Sequence, residues 1–257
     1  MRISLLVFLT TYLLNPQAPA GSQTVVVRDT QAVSALQAAW SAMGGSVPND
    51  SIAHGTISIT AGTRTESGSF SLLTRGTTQS SEQIAATFTN ETLVYSNGGS
   101  ALTVDQTTQS LSMEASQSSQ SAVFAMPLLA QLLSTPGIVM QFIGMEAVNG
   151  ASCEHVRTWN SFNSSPKLQF LSDFTTKDFW IDTASGVVKR LSYQIRDAGG
   201  DASITMMDIY YDDYRSIGGV FYPFFIQKSW NGTPWATITI QTVLFNSGLS
   251  DSNFPTQ

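Results

Sequence analysis

Residues 179–245 read FWIDTASGVVKRLSYQIRDAGGDASITMMDIYYDDYRSIGGVFYPFFIQKSWNGTPWATITIQTVLF, and the fold is decided there. Five apolar runs of strand length follow one another with no helical period. Between them stand Thr183-Ala184-Ser185-Gly186, Asp197-Ala198-Gly199-Gly200-Asp201, Arg215-Ser216-Ile217-Gly218-Gly219 and Asn231-Gly232-Thr233. Each is rich in residues that tolerate the positive φ of a tight reversal, so the stretch predicts an antiparallel meander. In the second run Val187, Lys189, Leu191, Tyr193 and Ile195 share one face and Val188, Arg190, Ser192 and Gln194 the other. In the last, Ile238, Ile240, Thr242 and Leu244 oppose Thr237, Thr239 and Gln241. The fourth differs: Phe221, Tyr222, Phe224, Phe225 and Ile226 put aromatic surface on both faces, which predicts a cover on both sides. Its Pro223 lacks a ladder donor and suits an edge or a bulge.

Working outward, Ile138 to Val148 and Ala151 to Trp159 flank Asn149-Gly150, the strongest short hairpin signal. Residues 127–133 (Pro-Leu-Leu-Ala-Gln-Leu-Leu) are apolar nearly all round and stop at Pro136-Gly137, which predicts a short buried helix. Between Gln106 and Ser121 the chain is mostly Ser, Gln and Thr and reads as a mobile loop. Further upstream, Phe70 and Leu72, Ile84 and Phe88, then Leu93 and Tyr95 mark strands broken by Arg75-Gly76-Thr77, Asn90-Glu91 and Asn97-Gly98-Gly99. Ala53 to Ala61 alternates cleanly, with Ile57 and Ile59 opposed to His54, Thr56, Ser58 and Thr60. Asp29 or Thr30 caps a predicted helix through Val33, Leu36, Ala39 and Trp40 that ends at Gly44-Gly45 and lays its apolar stripe on the sheet.

The bulk properties narrow the classes. In 257 residues, 42% are hydrophobic and only 12% charged, a surface of Ser, Thr and Gln that suits an exported protein. A net charge of -6 lacks the Lys and Arg clusters of a nucleic-acid or anionic-membrane surface. Met1-Arg2, the apolar Ile3 to Leu14 and the small-residue Ala18-Pro19-Ala20 predict a cleavable secretory signal over residues 1–20, too short to span a bilayer. Residues 21–257 then form one domain. The lone Cys153 permits no internal disulfide and stands far from any lipid-attachment position, so the expected mature protein is soluble, with no stable membrane anchor, and monomeric.

Chemistry-bearing residues are sparse. Cys153 and His155 lie two apart on a strand, poor geometry for a thiolate pair, and with His54 as the other histidine a zinc site has few ligands. Asp208, Asp212 and Asp213 lack the spacing of a calcium loop and read as solvated strand-end charges, and Asp182 as turn chemistry. No nucleophile elbow, phosphate loop or His-Glu-x-x-His is present, so neither a catalytic residue, a metal nor a cofactor is expected.

Phe179-Trp180-Ile181-Asp182, Gly186, Val188-Lys189-Arg190, Asp213-Tyr214-Arg215, Gly218-Gly219-Val220, Tyr222-Pro223, Ile238 and Phe245-Asn246 resemble the outer-membrane lipoprotein-sorting (LolA/LolB-like) proteins. Asn149-Gly150 with His155-Val156, and Ala42-Met43-Gly44-Gly45, resemble them too. The resemblance implies a mainly β (α+β) fold: one strongly curved antiparallel sheet, an open half-barrel, whose apolar concave face is covered by helices and receives acyl chains. It implies a soluble periplasmic, non-enzymatic carrier or binder of a lipid or lipidated protein. Leu128, Leu132, Leu133, Phe142, Phe179, Tyr193, Met206, Phe224 and Ile240 are the expected lining of its cavity, although aromatic and Met content equally suits a packed core. Two rival readings stay open. One is an envelope sensor or interaction module that meets protein partners through Phe221 and Phe225, and the other a secreted hydrolase with an acid pair assembled by folding.

Overall fold

The structure, a computed structural model, describes residues 26–119, 124–196 and 204–256. The expected signal segment and the turn at Asp197–Asp201 lie outside these residues. Helix α1 (Thr30–Ala42) is capped by Asp29, whose carboxylate accepts from the backbone N–H groups of Gln31 and Ala32. Strands β1 (Asp50–Ala61), β2 (Arg64–Arg75), β3 (Gln79–Ala86), β4 (Asn90–Ser96), β5 (Gly99–Val104) and β6 (Thr107–Ser110) form one meander. Helices α2 (Met113–Ser119) and α3 (Ala125–Ser134) lead to a second, made of β7 (Ile138–Val148) and β8 (Ala151–Asn160), helix α4 (Ser172–Thr175), then β9 (Lys177–Asp182), β10 (Val188–Arg196), β11 (Ile204–Ile217), β12 (Val220–Trp230) and β13 (Thr233–Phe245). All strand pairs are antiparallel, and β1 against β13 joins the meanders into one 13-stranded sheet with β6 and β7 at its two ends. None of the described helices is long and apolar enough to cross a membrane.

The sheet curls. Glu82 on β3 and Lys228 on β12 form a half-buried to buried ion pair, although four strand spacings separate them in the sheet order. Flat, those spacings span about 19 Å, farther than the two side chains reach together. The concave face must therefore fold toward itself into an open half-barrel.

Local chemistry sets the hairpins. Asn149 and Gly150 take φ of 48° and 82°, and Asn97-Gly98 and Asn231-Gly232 are likewise positive, as two-residue loops between twisted strands require. At Gly218-Gly219 the reversal is shorter than the sequence suggests, because β11 runs on to Ile217. The Asn149-Gly150 hairpin has the boundaries expected at its turn.

Several expectations need correction. The expected loop over Gln106–Ser121 is, in its described residues 106–119, mostly regular structure: Asp105 and Gln106, both at positive φ, turn β5 into β6, and α2 follows with Ser116 and Ser118 buried. A ladder is made by backbone groups, so an edge strand of Thr, Gln and Ser pairs without apolar side chains. Phe88 stands exposed in the β3–β4 turn, and Asn90-Glu91 begin β4 instead of forming that turn. Two bulges break the period-two reading. A register shift between Val188 and Arg190 carries Val188 into the core. Another, opposite His54/Gly55, exposes Leu244 while Val243 becomes buried and Phe245 packs against the core. Gly55 allows this close approach, since a Cβ there would lie 2.2 Å from the Thr239 carbonyl oxygen. Asp208 is no strand-end charge but a buried residue paired with Arg190, whereas Asp212 and Asp213 are surface partners of Lys189 and Arg215. Pro223 lies on a central strand, at a position beyond the Phe225–Trp230 ladder to β13, and is paired with β11 alone.

Candidate ligand-binding site

The concave face carries one apolar core. From β1 and β2 come Ala53, Ile57, Phe70 and Leu72, and from the second meander Phe179, Leu191, Ile209, Ile226 and Ile238. Helix α1 joins this core through Ala32, Ala35, Leu36 and Ala39 and packs on α3, β7, β8 and β9, its three alanines allowing a close approach. Its end is pinned. A Cβ on Gly44, at φ +117°, would sit 2.6 Å from the Gly219 carbonyl oxygen, one on Gly186 would sit 2.8 Å from Ala42 Cβ, and the Phe221 N–H donates to the Met43 carbonyl. Two of the glycine-bearing turns noted in the sequence, those at Gly186 and Gly218-Gly219, thus meet the Gly44-Gly45 end of α1.

Helix α3 buries Ala125, Met126, Pro127, Leu128, Leu129 and Leu132. The Gln131 carbonyl accepts from the Thr135 N–H, and the carbonyls that follow it at the end of α3 are met largely by one side chain. The Arg28 guanidinium, just ahead of α1, donates to the carbonyls of Leu132, Leu133, Thr135 and, at 3.2 Å, Ile138. Residues 27–29 also bond to Met140 on β7, so the segment that begins α1 ties α3 and the β7 edge together.

Of the nine expected lining residues, Leu128, Leu132, Phe179, Tyr193, Phe224 and Ile240 belong to this core, and Leu133 and Phe142 pack against it. Met206 does not; it joins Tyr193 in lining a groove of 490 Å³ with Gln141, Arg157 and Trp159. A neighbouring groove of 580 Å³ runs past Val27, Val139 and Met140. A pocket of 20 Å³ lies beside Pro127 and Leu128 of α3, and the concave interior is occupied by the buried side chains of the core.

Toward one end the concave face turns polar. Besides the Glu82–Lys228 pair it holds Glu91, whose acidity is weakened by burial and by Glu82, and Lys177, buried beside the Tyr193 ring at 5.6 Å. Helix α2 covers this end, packed on β10, β5 and α4.

The convex face is built differently. His155 stacks on Trp180 at 4.2 Å, with Nδ1 at 2.8 Å from Glu146 and Nε2 at 2.6 Å from Asp178. Burial alone would lower the imidazole pKa; the bonds to Asp178 and Glu146 outweigh it and raise it. Asp178 also accepts from Arg157, Glu146 accepts from Trp180 Nε1, and Arg190 lies 4.1 Å over the Trp180 ring. Cys153 is buried against Val148 and Trp180, its thiol pushed up by burial, which suits packing and not nucleophilic attack. Asp182 performs turn chemistry, accepting from the Ala184 N–H. Among the described residues no three His, Cys, Asp or Glu side chains gather as a metal site. Phe224 and Tyr222 are covered from within, Tyr222 by Phe124 at 4.3 Å, but Phe221 and Phe225 remain 39% and 38% exposed, so the outer aromatic face has no full cover.

Arg28, Lys177, Glu82 and Lys228 escaped the sequence reading. For Lys177 a signal existed: it shares the inward register of Phe179 and Ile181. Arg28 had none beyond its rarity in a chain of few charges.

No protein-family model matches the chain, and no curated protein matches it. Solved structures do. A DUF1329 family protein from Desulfovibrio piger superposes with a TM-score of 0.58 at 12% identity, over 87% of this chain and 97% of that one. A putative outer membrane lipoprotein-sorting protein domain from Vibrio parahaemolyticus gives 0.57 at 13%, over 87% and 96%. A LolA superfamily protein from Nitrosomonas europaea gives 0.56 at 13%, over 87% and 97%. With the curled, unclosed sheet and its helices, these likenesses establish that the chain has the LolA-like half-barrel fold.

Proposed function

We propose that this protein is an exported, non-enzymatic carrier or binder of the acyl chain of a lipid or lipidated protein, held between the concave face and the two covering helices. The supporting observation is how the apolar interior is closed. Among the described residues no second sheet seals it; α1 and α3 do, and Arg28 holds the end of α3 through backbone carbonyls. Such a closure releases without unpairing any strand. On this reading the filled interior is the empty, closed state, and Leu128, Leu132, Phe179, Phe224 and Ile240 contact the chain once α3 withdraws. The fold shared with the putative lipoprotein-sorting domain agrees with a periplasmic setting.

Titration with a fluorescent fatty-acid probe tests this. Saturable binding by the wild type is expected, together with its loss in Leu132→Glu, whose carboxylate would stand against the bound chain. A wild type that binds no probe overturns the reading. The exposed Phe221 and Phe225 favour a second, an interaction module for an envelope protein partner, and Phe225→Ser would then abolish that contact while leaving probe binding intact.

A further inference from the structure

Lys177 is 2% exposed and points with Phe179 and Ile181 into the concave interior. Its Nζ makes no hydrogen bond among the described residues. What lies near is the Tyr193 ring. A buried ammonium left this way is costly, and burial holds the amine at about 7 instead of its usual value. Methionine would fill the same space without that cost. The other buried lysine of this face, Lys228, already has its counter-charge in Glu82. Lys177 does not.

The geometry points to a missing anion. We propose that Lys177 receives the carboxylate of a long-chain fatty acid or similar acidic amphiphile, whose chain occupies the apolar interior; this rests on the carrier reading and names the head group of its ligand. One unpaired cation suits one negative charge. The Tyr211 hydroxyl, on the same face and also without a partner, offers a second donor to the same interior. Access is short, because Tyr193, the ring beside Nζ, also walls the 490 Å³ groove with Met206 and Thr176. On this proposal Tyr193 is the side chain that separates the groove from the amine. The acyl chains of a lipoprotein carry no free carboxylate, so this site discriminates between the two kinds of cargo.

The test compares palmitic acid, methyl palmitate and a palmitoyl lysophosphatidylglycerol as competitors of an uncharged fluorescent acyl probe, on wild type and Lys177→Met, with urea unfolding to confirm that the variant is folded. The wild type should prefer acid to ester by roughly 10- to 100-fold, the range of a charge-assisted hydrogen bond. Lys177→Met should bind both at the level of the ester. Equal affinity of the wild type for acid and ester, or a preference that survives in Lys177→Met, overturns the site and leaves the carrier reading standing. A preference for the lysophospholipid over the acid overturns the carboxylate assignment. Binding of none of the three overturns the carrier reading and the site with it. The wild-type comparison needs no variant and decides by itself.

Discussion

Lys177 and Asp178 are neighbours on β9, both ionisable and both buried, at 2% and 6% exposure, yet they face opposite sides of the sheet. Asp178, outward, is bonded to His155 and to Arg157. Lys177, inward, is bonded by its amine to nothing described. The convex face is thus a finished polar network that holds strands β7 to β10 together. The concave face is largely apolar and, besides the Glu82–Lys228 pair and half-buried Glu91, holds a buried amine with no hydrogen-bond partner among the described residues. A protein interior pairs its buried charges when their purpose is structural, and an unpaired one marks a place reserved for something else.

The most damaging way to break this contrast is Asp178→Ala. It leaves the buried His155 Nε2 without its partner and frees Arg157, and about 3 kcal/mol of stability should be lost in urea unfolding. Lys177→Met should do the reverse and stabilise the protein by about 1 to 2 kcal/mol at neutral pH. A destabilised Lys177→Met would mean that the amine is already satisfied, and the contrast would collapse.

The pH dependence sharpens it further. Because the folded-state pKa of Lys177 is lowered from 10.5 to about 7, the unfolded chain binds more protons between those values. Stability from this group therefore rises with pH across about 7 to 10.5. His155 is raised above 6.5, so its contribution is complete below 6.5 and is lost as pH climbs through the folded value. The two faces should carry opposite slopes. Unfolding midpoints measured from pH 5 to 10 should lose the rising component in Lys177→Met and the falling one in His155→Gln. The same slope in both variants would show that the neighbours do not differ as described.

A smaller effect is expected from the closure itself. Arg28→Leu removes the donors that gather the end of α3, at about 1 kcal/mol. If closed and open states compete for the same interior, probe affinity should rise severalfold even as stability falls. Unchanged affinity with lowered stability would make Arg28 a cap and nothing more.

Much of this architecture was legible because backbone requirements leave a mark on residue type. Asn149-Gly150 takes positive φ at both positions, and Asp29 stands where α1 needs its cap. The bulges at Val188 and opposite Gly55 were not legible, since one inserted residue shifts a pattern without altering its composition. Nor was α2, whose serines are buried by packing on β10 and α4, elements distant in sequence. The site was legible only in its apolar part. Leu128 and Phe179 declare themselves by hydropathy, whereas the meaning of Lys177 depends on what fails to meet it in space.

The smallest expected effect lies on the convex face, at Cys153. Its thiol packs between Val148 and Trp180, with Sγ 3.7 Å from the Ala151 carbonyl oxygen. Serine is smaller, and its hydroxyl has that carbonyl as an acceptor, so the buried polar atom need not go unsatisfied. Cys153→Ser should therefore cost about 1 kcal/mol and leave the ladder of β8 and β9 intact. Probe affinity should not move, because this side chain belongs to the face that holds the sheet together and not to the one that receives a ligand. Weakened binding in a variant that unfolds near the wild-type midpoint would show the two faces to be coupled through β9. The assignment of binding to the concave face alone would then fail.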